Sequence, residues 1–82
     1  MDSEKQAEFV RLYIRVDEAA NTLHAQAAEV YEMAERIEEL TKDTLLQHAG
    51  MRARAEARTI QEHVEDLRRA LGEMGKELRG QA

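Results

Sequence analysis

Apolar residues recur along this chain in strict steps of three and four, and the repeat breaks once. One run is Phe9, Tyr13, Val16, Ala20, Leu23, Ala27, Val30, Ala34, Ile37 and Thr41. The other is Leu46, Gly50, Ala53, Ala57, Ile60, Val64, Leu67, Leu71, Met74 and Leu78. The step from Thr41 to Leu46 is five, whereas the insertions a continuous coiled coil absorbs are of three or four residues. A step of five would turn the stripe onto another face of a single long helix, so one unbroken rod cannot use both runs. A chain reversal can. Folded between Asp43 and Thr44, the two runs match: Ile37 with Gly50, Ala34 with Ala53, Val30 with Ala57, Ala27 with Ile60, Leu23 with Val64, Ala20 with Leu67, Val16 with Leu71, Tyr13 with Met74 and Phe9 with Leu78. In that mirror an a position of one helix faces a d position of the other, as in a left-handed antiparallel coiled coil.

The predicted architecture is therefore all-α: a long antiparallel helical hairpin forming one domain over residues 1–82. Helix 1 is expected over about 3–40, a turn at about 41–44 and helix 2 over about 44–79. Lys42, Asp43 and Thr44 are plausible turn residues, and Thr44-Leu45-Leu46-Gln47 reads as a capping box opening the second helix. A rival turn at His48-Ala49-Gly50 would use Gly50 as a left-handed cap, but it leaves the seam out of register.

Two rods that each bury one stripe make a small core. With no Cys in the sequence, no disulfide staples it, and scaffolds of this size gain only about 3–5 kcal/mol from a single core. Association into a dimeric four-helix bundle is the expected remedy. The flanks say where. On the first arm the g positions include Leu12, Ala19, Met33 and Leu40, with Val10 and Tyr31 at e. That apolar margin is wider than a two-helix contact needs, so Val10, Leu12, Ala19, Tyr31, Met33 and Leu40 are the candidate partner or dimer interface. On the second arm Gln47, Arg54, Gln61 and Arg68 at e, and Glu56, His63 and Glu77 at g, are polar. The expected partners are a second copy of the chain and, beyond it, another helical protein.

Charge is unevenly spread. Met1 to Thr41 holds ten acidic and four basic residues, and Lys42 to Ala82 holds seven acidic and eight basic, for a net charge of -5. The only locally basic run, Met51 to Arg58, contains Glu56 and no aromatic residue, so nucleic acid ranks behind protein as a partner. Its arginines are expected to meet the acidic first arm. The start of the sequence, Met1-Asp2-Ser3-Glu4, is acidic and no apolar run follows it, so no Sec-type signal peptide or membrane span is expected. A cytoplasmic location is the default, with signal-independent secretion left open.

No catalytic, cofactor-binding or metal-binding set is predicted. A bundle di-metal site needs Glu three residues before an inward His. Asn21, Leu45 and Ile60 hold those places before His24, His48 and His63. The seam is aliphatic and offers no polar pocket, so no enzymatic activity is expected. Gly72, Gly75 and Gly80 lower helix propensity by about 1 kcal/mol each and predict a frayed or adaptable C-terminal end.

The layering of small against large residues, Ala20, Ala27 and Ala34 in one arm against Leu67 and Ile60 in the other, resembles that of Rop-type dimeric hairpins. Those bind RNA through a basic face, which the acidic first arm lacks. A second resemblance is to the small secreted WXG100 (Esx) hairpins, which carry Trp-x-Gly in the turn between two long helices. His48-Ala49-Gly50 sits near the equivalent place, with the Trp replaced. Their Tyr-x-x-x-Asp/Glu export motif has matches at Tyr13 to Asp17 and Tyr31 to Glu35, inside the first helix rather than in a C-terminal tail. That resemblance implies a secreted helical partner. The residues themselves favour a small non-enzymatic interaction module, an adaptor, inhibitor or chaperone-like regulator acting by helix–helix docking.

Overall fold

The structure is a computed structural model that describes residues 2–80. Two helices, α1 (Ser3–Thr41) and α2 (Gln47–Gly80), pack against each other as a hairpin. Helix α1 starts where the side chain of Asp2, itself extended, accepts a hydrogen bond from the Lys5 N–H at 2.9 Å. That carboxylate satisfies one orphan donor and sits at the positive end of the helix dipole. Thirty-nine residues at about 1.5 Å each give a rod of about 58 Å, matching a molecule of 60 × 17 × 15 Å. The radius of gyration is 18.4 Å, against about 12 Å for a globular domain of this length.

The turn is made without glycine. Asp43 supplies the left-handed step that ends α1, with φ 62°, a conformation short polar side chains tolerate better than most. Thr44 then ties the reversal together. Its N–H and hydroxyl both donate to the Thr41 carbonyl, at 3.0 and 2.6 Å, and its Oγ1 accepts from the Leu46 N–H at 3.1 Å. The reciprocal capping expected of Thr44 and Gln47 forms in an offset version, with Gln47 Oε1 accepting from the Asp43 N–H at 3.2 Å. Helix α2 consequently starts at Gln47, about three residues later than the sequence suggested. Gly50 already donates its N–H to the Leu46 carbonyl at 2.9 Å. It lies within the helix, and no turn forms at His48-Ala49-Gly50.

The mirror moves by half a residue. Gly50 packs on Glu38 and Tyr13 reaches Gly75, two pairs symmetric about Thr44. The larger difference is rotational. Tight burial falls at Ala20, Ala27 and Ala34 on α1 and at Gly50, Ala57, Val64, Leu71 and Gly75 on α2. The half-buried residues beside them are Asp17, His24, Tyr31 and Glu38, then Gln47, Arg54 and Gln61. These are the e positions. The contact runs along a and e, and the d residues Val16, Leu23, Val30, Ile37, Ala53, Ile60, Leu67 and Met74, expected inside the seam, lie exposed beside it. Phe9, Tyr13 and Leu78 are half-buried at the open end, where the Phe9 and Tyr13 rings stack at 6.4 Å.

Small residues cause the rotation. An a/d contact would set Leu and Ile between the rods and hold them apart. At 100° per residue, turning each helix by about 50° brings the a/e stripe inward, where Ala and Gly let the backbones approach. At Gly50 a Cβ would overlap Thr41 Oγ1 and lie 3.4 Å from the Glu38 Cα, so a side chain there would have to displace the Thr41 hydroxyl. Apart from His24, whose Nδ1 is buried, the polar e side chains can extend their stems along the contact and carry their heads toward water. Among the described residues, only Ala20, Ala27, Ala34, Ala57, Val64 and Leu71 form the buried apolar core.

Candidate interaction face

The displaced aliphatic residues do not scatter. Leu23 and Val30 from α1 and Ile60 from α2 line one groove of about 210 Å³, floored by Ala27, Ala57 and Val64 with Gln26 at its rim. The d stripes of both helices therefore open on the same side of the hairpin. By heptad spacing Val16 and Ile37 continue the row along α1, and Ala53, Leu67 and Met74 continue it along α2. Leu23 and Val30 are each 46% exposed and Ile60 54%, whereas Ala20 between the rods is 1% exposed.

Beyond the d row of α1 lies its g row. Leu12, Ala19, Met33 and Leu40 are all exposed, as an association surface requires, and they widen the apolar face outward. Two of the six residues expected there lie elsewhere. Tyr31 is half-buried in the contact on the opposite side of the hairpin. Val10, also at e, lines a separate groove at the open end with Gln6, Tyr13, Ile14, Gly75 and Leu78. Both changes follow from the same rotation, which turns e inward and d and g outward.

The opposite side is cross-linked by polar groups. The Arg54 guanidinium lies 5.8 Å from the centre of the Tyr31 ring and 3.6 Å from Glu38 Oε2, and both contacts span the two helices. Arg58 pairs with Glu62 at 3.3 Å, and Tyr31 first and that glutamate second raise its pKa further. Two arginines of the basic run are thus engaged with Tyr31, Glu38 and Glu62. His24 Nδ1 is buried here without a hydrogen-bond partner.

Helix propensity alone marks Gly75 as a point of fraying. In the structure it is buried, with the Tyr13 ring against it, and the Tyr13 hydroxyl donates to the Leu71 carbonyl at 3.0 Å. Helix α2 continues through all three glycines to Gly80. Both Tyr-x-x-x-Asp/Glu matches lie in the body of α1, and their tyrosines are half-buried in the hairpin.

Among the described residues, no three His, Cys, Asp or Glu side chains cluster as metal ligands, and no helix is long and apolar enough to cross a membrane. The signal for the open face was present in the sequence as the wide apolar margin of α1. What it lacked was the a/e rotation, which adds the d residues of both helices. No protein-family model, curated protein or solved structure matches this chain.

Proposed function

We propose that this chain is a non-enzymatic interaction module, an adaptor, inhibitor or chaperone-like regulator that works by docking helices on its open apolar face. One observation carries the reading. The hairpin closes on alanine and glycine while its large aliphatic side chains, Leu23, Val30, Ile37 and Ile60 among them, stand half-exposed in line on one side. Contiguous apolar surface of this kind marks a site of association, and parallel rows at helical spacing suit a helix laid into a groove. The basic run supports nucleic-acid binding less well, because Arg54 is already engaged across the hairpin by Glu38 and Tyr31 and Arg58 is paired with Glu62 on its own helix.

The test is a pair of charges on that face. The Leu23→Glu, Ile60→Glu chain and the unaltered chain are compared by sedimentation and by the proteins each retains as bait. The altered chain should lose association, with itself or with any partner the unaltered chain holds. Identical sedimentation and identical retained proteins would overturn the reading.

A further inference from the structure

The chain exposes 6726 Å², whereas a monomeric globular protein of 9.4 kDa exposes about 5,000 Å². The excess is about twice the ~800 Å² per partner of a standard protein interface. Its direction is fixed by the helix. The a/e contact and the d/g margin are centred about 110° apart around α1 at 100° per residue, close to the corner angle at which a helix of a four-helix bundle meets its two neighbours.

Which helix covers which follows from the margins. Leu12, Met33 and Leu40 border the open face on α1, whereas Glu56, His63 and Glu77 hold the corresponding g positions on α2. Like matches like only if α1 lies on a second α1. The lengths agree as well. The exposed stripe of α1 from Leu12 to Leu40 has its midpoint at Gln26, and the stripe of α2 from Ala53 to Met74 has its midpoint between His63 and Val64. In a hairpin mirrored on Thr44, Gln26 stands level with Glu62, so the two midpoints agree within about 3 Å. The groove lined by Leu23, Gln26, Val30 and Ile60 opens at this level.

We infer that a second copy of this chain covers the open face, packed about a two-fold axis perpendicular to the rods and passing near Gln26, with α1 antiparallel to α1 of its mate. This rests on the docking reading above and names its occupant. A two-fold at that height covers both apolar stripes along their whole length. It also sets Gln26, the one polar residue in the g row between Leu12 and Leu40, against its own symmetry mate. A carboxamide both donates and accepts, so the pair satisfies itself, and a polar residue at one core layer fixes register and orientation.

The chain has no cysteine, so Gln26→Cys introduces a single thiol. At micromolar concentration light scattering should give twice 9.4 kDa, and the Q26C chain should oxidise to a disulfide-linked dimer. Cysteine at Glu18, on the outer surface, should not. Leu12→Cys should fail to link with itself yet link with Leu40→Cys in a mixture, which tests the antiparallel arrangement even if the Q26C chain were to unfold. A monomer at these concentrations overturns the inference, as does Leu12→Cys linking to itself. A monomer that still binds a different helical protein through Leu23 and Ile60 overturns only this step and leaves the docking reading standing. A monomer in which L23E/I60E changes no association overturns both.

Discussion

The two long sides of this hairpin are built from the same heptads and do opposite things. One side carries Tyr31, Glu38, Arg54 and Gln61, whose polar ends reach water or one another across the helix contact. The other carries Leu23, Val30, Ile37, Ile60 and Leu67, which the chain leaves about half uncovered. A stripe of alanine and glycine lies between them. The difference shows what close packing does in a small protein: it brings backbones together at the expense of side-chain burial. The apolar area left over is then directed to one face.

The largest expected effect tests that division. Glutamates at Leu23 and Ile60 remove apolar anchors worth roughly 1.5–3 kcal/mol each when buried, and a two-fold interface loses each of them twice. Association at micromolar concentration should disappear, measured by sedimentation equilibrium, and helicity should become lower and independent of concentration. Gln61→Glu, a charge added on the polar side, should leave sedimentation unchanged. If Gln61→Glu dissolved the assembly as completely, the sides would have been assigned the wrong way round.

Two alanines sharpen the comparison further. Ala27 is buried between the rods and Ala53 is exposed on the open side. Ala27→Leu forces bulk into a contact with no room for it, which costs about 1–3 kcal/mol in cores that are already packed. Ala53→Leu adds apolar area to the associating face and should be neutral or stabilising. Urea unfolding followed by circular dichroism distinguishes them. Equal responses would mean that the rods are not in close contact at Ala27.

Two glycines one turn apart on α2 should also respond differently. Nothing approaches a Cβ built at Gly72, so Gly72→Ala should stabilise the helix by up to about 1 kcal/mol. At Gly75 the new methyl would meet the Tyr13 hydroxyl. The same propensity gain is then opposed by displacing that hydroxyl from the Leu71 carbonyl, a bond worth about 0.5–1.5 kcal/mol. Gly75→Ala should therefore fail to stabilise, and adding Tyr13→Phe should recover part of the gain. Thermal melts of the three variants are the measurement.

Much of this was legible in the residues. The five-residue step from Thr41 to Leu46 forces a reversal, and the mirror at Asp43 and Thr44 lies half a residue from the observed centre. The spare apolar margin of α1 pointed to Leu12, Met33 and Leu40, which are exposed. The rotation was harder to read, because a/d and a/e stripes share their a residues and differ only in whether Leu23 or His24 turns inward. Hydrophobicity favours leucine there. Backbone approach decides otherwise, since Ala20, Ala27, Ala34, Gly50 and Gly75 are small enough to remove the space a leucine needs. Gly75 was hidden for the same reason: propensity alone marks it as a weakness, and only the neighbouring Tyr13 ring shows why a side chain does not fit.

The smallest effect tests whether the polar side holds the hairpin or only decorates it. Arg54 and Glu38 lie 3.6 Å apart across the two helices, with side chains 40% and 35% exposed. Pairs this open to solvent are worth about 0.2–1 kcal/mol, and a guanidinium over a half-buried ring adds about 0.5–1 kcal/mol. A double-mutant cycle on Arg54→Ala and Glu38→Ala, read by urea unfolding, should give a coupling energy of no more than about 1 kcal/mol. The coupling should shrink further in molar salt, where exposed charges are screened. Tyr31→Ala combined with Arg54→Ala should give a coupling of similar size that salt reduces less, because the arginine rests on the ring face as well as facing a charge. A salt-insensitive coupling well above 1 kcal/mol between Arg54 and Glu38 would show this side to be a structural clamp. The alanine stripe would then share the work of holding the rods together.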